Sequence, residues 1–524
     1  MSKPREAVVI GAGPNGLVAA NLLADAGWRV LLLEAQPEVG GAVRSDRDVH
    51  PDFVHDTFSS FYPMAAVSPV MEQLRLPDHG LTWEHAPAVL GHPRRDGSWA
   101  MLYRDVGRTA DGLAAVAAAD GPAWRAFSAE WERIGPALLQ SLLTPFPPVR
   151  GGLKFLATLP RVGGLQYIRT LLEPVLTMGE TRFASEEASL LLAGNAMHSD
   201  IPLSAPGSGV LGLLLAMIGQ FQGFPVPKGG AGELSAALAR RFTALGGEIR
   251  CDTRVDRVLV EGKRAYGVVT ADGERITTRA VVADVAAQAL YGRLVSFGEL
   301  PARVKTAMDR FEADPGTVKV DWALSGPVPW ASAPPEAPGT VHISDSMVEL
   351  GQTQAAITNH LVPAKPFLLA GQMTTTDPTR SPVGTESFWA YTHVPQKVLG
   401  DEGPDGLSGR WDHDEVQRMA DRMQQRVVDY APDFESRILA RRVLGPYDLQ
   451  DRDANLVKGA LSGGTTGLHQ ELILRPIPGL GRAETPIRGL YLGSASAHPG
   501  GAVHGACGAN AARALLAAAR LGRI

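Results

Sequence analysis

Four apolar residues, Ala7-Val8-Val9-Ile10, run without a polar break into Gly11, the pattern of a strand buried on both faces. From residue 16 to 26 the apolar positions Leu17, Ala20, Leu23 and Ala24 fall on one helical stripe, and Gly27 stops it. Val30 to Leu33 is a second apolar run, closed by Glu34. Strand, helix and strand in this order predict a parallel βαβ unit.

Downstream the pattern is more broken. Residues 124–143 and 152–176 carry helical spacing interrupted by prolines. Pro227-Lys228-Gly229-Gly230-Ala231-Gly232 is a turn that opens a predicted helix over 234–245. The runs 254–260 and 265–270 alternate on either side of Gly262, which predicts a hairpin. Residues 280–283 and 489–493 read as further strands, 317–324 and 388–394 alternate in polarity, and an Ala-rich helix closes the chain.

The length of 524 residues exceeds what one core usually organises, so two domains are expected. A formal net charge of -5 gives no basis for binding nucleic acid. The two cysteines, Cys251 and Cys507, form no CxxC, which argues against disulfide exchange and fits a reducing, cytoplasmic setting. Residues Met1 to Glu6 leave no room for a leader, and the longest apolar stretch, 210–218, is far short of the roughly 20 residues a span needs.

The chemistry sits at the turns of the βαβ unit. Gly11-Ala12-Gly13-Pro14-Asn15-Gly16 is G-x-G-x-x-G between strand and helix. Gly11 permits the tight turn, Gly13 lets backbone approach a pyrophosphate, and Gly16 lets helix and strand pack closely. Glu34 ends the next strand where a carboxylate meets an adenosine ribose. A second glycine pair follows in Glu34-Ala35-Gln36-Pro37-Glu38-Val39-Gly40-Gly41-Ala42-Val43-Arg44-Ser45. Near the C-terminus, Gly493-Ser494-Ala495-Ser496-Ala497-His498-Pro499-Gly500-Gly501-Ala502-Val503-His504 leads from a strand into the last helix.

The G-G-x-x-x-[ST] segment after Glu34 resembles the FAD-binding stretch of the amine oxidase and phytoene desaturase superfamily. Asn15 to Ala20, the 458–475 segment, Ala431-Pro432-Asp433-Phe434 and Pro499 to Gly508 look like the desaturase-related branch that contains the mitochondrial pyridine nucleotide-disulphide oxidoreductase domain-containing protein. Both ends of the chain carry the resemblance, and the middle carries it in patches. The branch often has Asn where this chain has Asp284.

The resemblance implies an α/β fold: a Rossmann-like FAD-binding domain of the second glutathione-reductase type, with an inserted α+β substrate domain. The expected FAD domain comprises residues 1–80, 225–292 and 480–524; the expected substrate domain comprises 81–224 and 293–479. FAD contacts are expected from Gly11, Gly13, Pro14, Asn15, Gly16, Glu34, Ala35, Gly40, Gly41, Ala42, Arg44, Ser45, Val255, Gly493, Ser494, Gly501, Ala502 and Val503. Backbone N–H groups near Gly501 to Val503 are placed to stabilise negative charge on a reduced flavin. No metal site is expected from the spacing of the 13 histidines.

The implied reaction is a phytoene desaturase-like dehydrogenation: hydride from a hydrophobic substrate carbon to flavin N5, proton loss to base or water, and a new C=C. No second dinucleotide fingerprint is present, so the organic substrate is the expected electron donor, with oxygen or a quinone as acceptor. Amine oxidation, redox-neutral isomerisation and flavin-free prenyl or lipid binding are the alternatives on the same fold. His498 and His504 are candidates to face the ring, or else hydrogen-bonded structural histidines. Arg150, Lys154, Arg161 and Arg169 stand in an apolar 134–176 segment, which predicts either peripheral membrane contact or a helical lid. Prolines 145, 147, 148 and 160 favour the lid.

Overall fold

A computed structural model of the chain describes residues 6–524. Residues 1–5, on which the expectation of no leader rests, lie outside them. In chain order the strands of its two main sheets are β1 (Glu6–Ile10), β2 (Arg29–Leu33), β3 (Ala88–Pro93), β4 (Trp99–Leu102), β5 (Glu248–Arg250) and β6 (Val281–Ala283). They continue as β7 (Gly316–Leu324), β8 (Pro338–Ile343), β9 (Leu368–Gln372), β10 (Glu386–Val394), β11 (Ile438–Leu444) and β12 (Leu490–Leu492). The helices that matter below begin with α1 (Pro14–Asp25), α2 (Asp120–Leu142), α3 (Val149–Thr158), α4 (Leu165–Leu172) and α5 (Glu186–Ala196). They end with α6 (Ser208–Gln222), α7 (Gly232–Ala244), α8 (His413–Val428) and α9 (Ala506–Arg520).

The first sheet is wholly parallel, in the order β12-β6-β1-β2-β5. Val8 lies opposite both Leu31 and Val281, and Val282 lies opposite Tyr491, so segments from both ends of the chain meet at β1 and β6. The expected βαβ unit is present. Its helix is buried more widely than one stripe: residues 15 to 23 of α1 are all buried, because α9 and α7 pack against it as well as the sheet. Gly508 of α9 crosses the Asn15 carbonyl so closely that a Cβ would overlap it.

The second sheet has seven strands in the order β11-β7-β10-β9-β8-β3-β4, antiparallel except where β8 lies beside β3. Alternation sorts its residues by face. Val318, Val320, Trp322, Phe388 and Ala390 pack under Met419 and Met423 of α8. The opposite face carries Lys319 opposite Tyr391 and Asp321 opposite Trp389, and at its β3 and β9 end Leu90 and Leu369 join the core of α5 and α6.

The hairpin expected around Gly262 forms, between Val255–Glu261 and Arg264–Thr270. The stretch 152–176 is helical but interrupted, as its spacing predicts. It divides into α3, a 3-10 turn over Leu159–Val162 and α4, with Gly163 at φ +104° and Gly164 at φ +61° forming the break. Pro136, by contrast, is carried inside α2.

Candidate active site

β1 delivers Gly11 into the first turn at φ +92°, where a Cβ would lie 2.6 Å from the Asp284 carbonyl oxygen. Gly13 is the N-cap of α1 and brings no side chain of its own to that end; Pro14 has no N–H and Gly16 N–H is held by Asp284, so the helix presents the Asn15 N–H and the positive end of its dipole beside the partly open Gly13 and Pro14. Gly40 N–H donates to the Ala12 carbonyl at 2.8 Å, and a Cβ on Gly41 would sit 3.1 Å from Gly13 Cα. The second glycine pair therefore rests directly on the first turn, an approach that side chains would block.

Glu34, nearly buried at the end of β2, accepts from Ala12 N–H at 2.6 Å and Gln36 N–H at 2.9 Å, while Ala35 beside it is exposed. Thr253 N–H donates to the Glu34 carbonyl at 2.7 Å and so brings the buried Val255 towards the same edge. Arg44 folds back, with Nε on the Gly41 carbonyl at 3.0 Å and Nη2 on the Arg452 carbonyl at 2.8 Å, leaving Ala42 partly open. Ser45 Oγ donates to Asp56 at 2.8 Å and accepts from Gly232 N–H at 3.0 Å.

Asp284 follows β6, and its Oδ2 accepts from Gly16 N–H at 2.8 Å. Burial pushes its carboxyl up to about 8, with the Gly16 hydrogen bond opposing and the Asp453 and Glu34 charges adding to the rise. At neutral pH it is therefore a carboxylic acid, which keeps a donor and an acceptor beside an anion site as an asparagine would.

The C-terminal segment completes the same end of the sheet. Gly493 N–H donates to the Ala283 carbonyl at 2.9 Å, and the Ser494 carbonyl accepts from Ala497 N–H at 2.9 Å. Gly501 and Val503 are half-buried, and Ala502 is exposed at φ +79°, a left-handed conformation unusual for alanine and typical of sites under functional constraint. Both candidate histidines have backbone partners. His504 Nδ1 accepts from Ala506 N–H at 3.0 Å at the start of α9, and burial pulls its pKa down to about 4. His498 Nε2 lies 3.1 Å from the Thr144 carbonyl, and burial lowers its pKa too.

The second sheet's other face carries a row of aromatic rings. Phe61, Trp389, Tyr391 and His393 follow one another there, with centroids 6.1, 5.9 and 5.5 Å apart, and Phe61, Tyr391 and His393 stay partly open. His198 Nε2 is 3.2 Å from His342 Nε2, and enclosure by the surrounding protein pulls His198 down to about 3.

A buried ion cluster ties this wall to the first lobe. Lys319 Nζ donates to the Asp56 carbonyl at 2.9 Å and pairs with Asp321. Arg442 bridges Asp321 at 2.8 Å and Asp46 at 2.7 Å. Arg380 joins Asp56 and Asp377, each at 2.9 Å. Burial pulls the Lys319 amine down, and Asp321 opposes that pull.

Residues 15–346, more than half of the chain, match the family described as flavin containing amine oxidoreductase. The chain belongs to that family. It is 28% identical, over 97% of its length and 92% of the relative's, to Pyridine nucleotide-disulfide oxidoreductase domain-containing protein 2 of Mus musculus. It is 25% identical to Phytoene desaturase (lycopene-forming) of Pseudescherichia vulneris, over 96% of each chain. The solved structure of Cyclohexylamine Oxidase from Brevibacterium oxydans IH-35A shares the fold with a TM-score of 0.58 at 16% identity, covering 99% of this chain and 100% of that one.

As a member of the flavin containing amine oxidoreductases, the protein is an FAD-dependent oxidoreductase. Its own residues fit the cofactor: the positive end of α1 for a diphosphate, glycines stacked where a Cβ would intrude, and a fixed carboxylate at the end of β2. The alternating runs 317–324 and 388–394 point to a sheet that walls a pocket, and both lie in the second sheet. Trp389, Tyr391 and His393 alternate visibly along β10, but alternation does not say which face looks inward. Lys319 and Asp321, two apart in an otherwise apolar strand, were the available signal for a buried ion pair.

Proposed function

We propose that the protein is a desaturase-like dehydrogenase that oxidises a hydrophobic substrate to a C=C product. The observation that carries this reading is the state of the carboxylates near the aromatic wall. Asp46, Asp56, Asp321 and Asp377 are all engaged by Lys319, Arg380 or Arg442, which leaves none of these four free to hold a substrate ammonium. Phe61, Trp389 and Tyr391 offer apolar surface instead. The similarity to a phytoene desaturase along nearly the whole chain supports the same choice. Bound FAD supplies the two-electron acceptor, and oxygen or a quinone takes the electrons onward. An anaerobic visible spectrum tests the reading: polyene or lipid extract is expected to bleach the flavin, and alkylamines are not. Bleaching by amines alone would reassign the protein to amine oxidation.

FAD lies, in this reading, with its diphosphate over Gly11 to Gly16, its ribose on Glu34, its adenine beside Val255 and its ring end along Gly493, Ser494 and Gly501 to Val503. Glu34→Ala is then expected to weaken FAD by about 10–100-fold, the loss of a hydrogen-bonding charged group. Titration of the apoprotein, followed by quenching of FAD fluorescence, measures it. Unchanged affinity would displace the ribose from Glu34.

Membrane contact belongs to the same reading. Among the described residues no helix is long and apolar enough to cross a bilayer. Leu153 and Leu156 of α3 and Leu165 and Leu172 of α4 are nonetheless exposed, at 63%, 60%, 81% and 54%, beside Lys154 and Arg169. Leucines among basic residues suit an anionic surface from which a lipophilic substrate is drawn. The wild type is expected to float with phosphatidylglycerol vesicles, and Leu153→Ser with Leu165→Ser is expected to remain at the bottom of the gradient.

A further inference from the structure

A cleft of about 160 Å³ opens between the loop leaving α2, the residues that lead into β12 and the outer side of α9. Two of its lining side chains are buried and incompletely bonded. Asn510 is 4% exposed, and neither its Oδ1 nor its Nδ2 has a partner. His498 is equally buried; its Nε2 meets a carbonyl, so that nitrogen carries the hydrogen and the partnerless Nδ1 presents a lone pair. Buried polar groups in this state call for a ligand or water.

The remaining walls define what that ligand resembles. Phe146 and Ala483 give the cleft an apolar side. Arg513 is exposed at its rim and forms no ion pair with the described residues, whereas Glu484 has Arg482 at 3.6 Å. The site therefore combines a free guanidinium, an amide with both donor and acceptor, and one obligate acceptor. A fully ionised oxyanion such as sulfate satisfies the first and is repelled by the last. An oxyanion that retains an O–H satisfies all three.

We propose that this cleft binds a phosphate group that still carries a proton, either free phosphate or a monoester. Its charged oxygens accept from Arg513 and from the Asn510 amide, and its P–OH donates to His498 Nδ1. The site is separate from the glycine turns and does not depend on the substrate assigned above. Through His498 and Pro499 it is continuous with the Gly500–Val503 turn, so occupancy has a direct route to the flavin end of the first lobe.

Calorimetric titration of the FAD-loaded protein with inorganic phosphate and with sulfate, at matched ionic strength and pH 7, tests it. Phosphate is expected to saturate one site, with sulfate about tenfold weaker or more, the worth of one charge-assisted hydrogen bond. Arg513→Gln and Asn510→Leu are each expected to lower phosphate affinity about tenfold with the flavin spectrum unchanged. Equal binding of both anions, no binding of either, or full phosphate affinity in Arg513→Gln would overturn the assignment. Vesicles distinguish the source. Retention on phosphatidate in excess of that on phosphatidylglycerol of equal charge, the excess being lost in Arg513→Gln, identifies a lipid monoester, and phosphate binding without that excess identifies a soluble one.

Discussion

Arg380→Met is expected to destabilise the protein by about 3–5 kcal/mol, because it strands two buried carboxylates. Arg380 is completely buried, and its guanidinium spans Asp56, Asp377 and the Pro227 carbonyl. Asp56 in turn accepts from Ala231 N–H at 2.8 Å and from Ser45 Oγ, so the loss reaches the second glycine segment. Urea unfolding followed by tryptophan fluorescence reads the stability, and flavin release on a desalting column reads the site. Both are expected to fall together. Arg380→Lys keeps the charge but presents a point donor in place of a planar fork, so it is expected to recover only part of the loss. A variant that unfolds like the wild type would mean that the cluster adds nothing to stability.

Asp284→Asn is expected to remove a pH dependence. The carboxyl has a usual value of 3.8 and is pushed up to about 8 by burial, so the folded state holds a proton that the unfolded chain has lost. Stability is then fullest below about pH 4, falls as pH rises to about 8 by up to about 1.4 kcal/mol per unit, and is level above that. The asparagine variant has no such proton to lose. Its apparent melting temperature is expected to exceed that of the wild type at pH 8 and to converge with it near pH 4. The diphosphate of FAD adds negative charge at the same place, so in the holoprotein the fall is expected to continue to higher pH. Parallel curves for the two proteins would place the Asp284 proton elsewhere.

The glycine turns were legible because their backbone dictates the residue. A Cβ on Gly11, Gly13, Gly16 or Gly40 would collide with a neighbouring protein atom, and the sequence records that in the residue itself. The neighbours of those turns were less legible. Nothing in the spacing says that Gly508 crosses the Asn15 carbonyl, since close helix approach is a property of two segments and the signal at each is one small residue. The wall was legible as a sheet of alternating runs but not in which of its faces looks inward. Strand alternation fixes which side chains share a face, yet inward and outward are settled only when α8 covers Val318, Val320 and Trp322, and that packing depends on residues about a hundred positions away. His498 and His504 illustrate a third case: their position at the C-terminal turn was evident, whereas their partners, the Thr144 carbonyl and Ala506 N–H, depend on folded geometry.

The order β12-β6-β1-β2-β5 also sets a timetable for synthesis. β1 emerges first from the ribosome, but the strand that flanks it, β6, begins at Val281, and the sheet edge beyond that begins at Leu490. At about 5–20 residues per second, β1 waits tens of seconds for its last companions. Until α9 is made, the buried face of α1 lacks one of the helices that enclose it, and β1 has only β2 beside it until β6 follows. A nascent chain stalled before residue 490 therefore has a dinucleotide turn but no closed pocket around it. The segment from Leu490 to Arg520 thus completes an element made long before it.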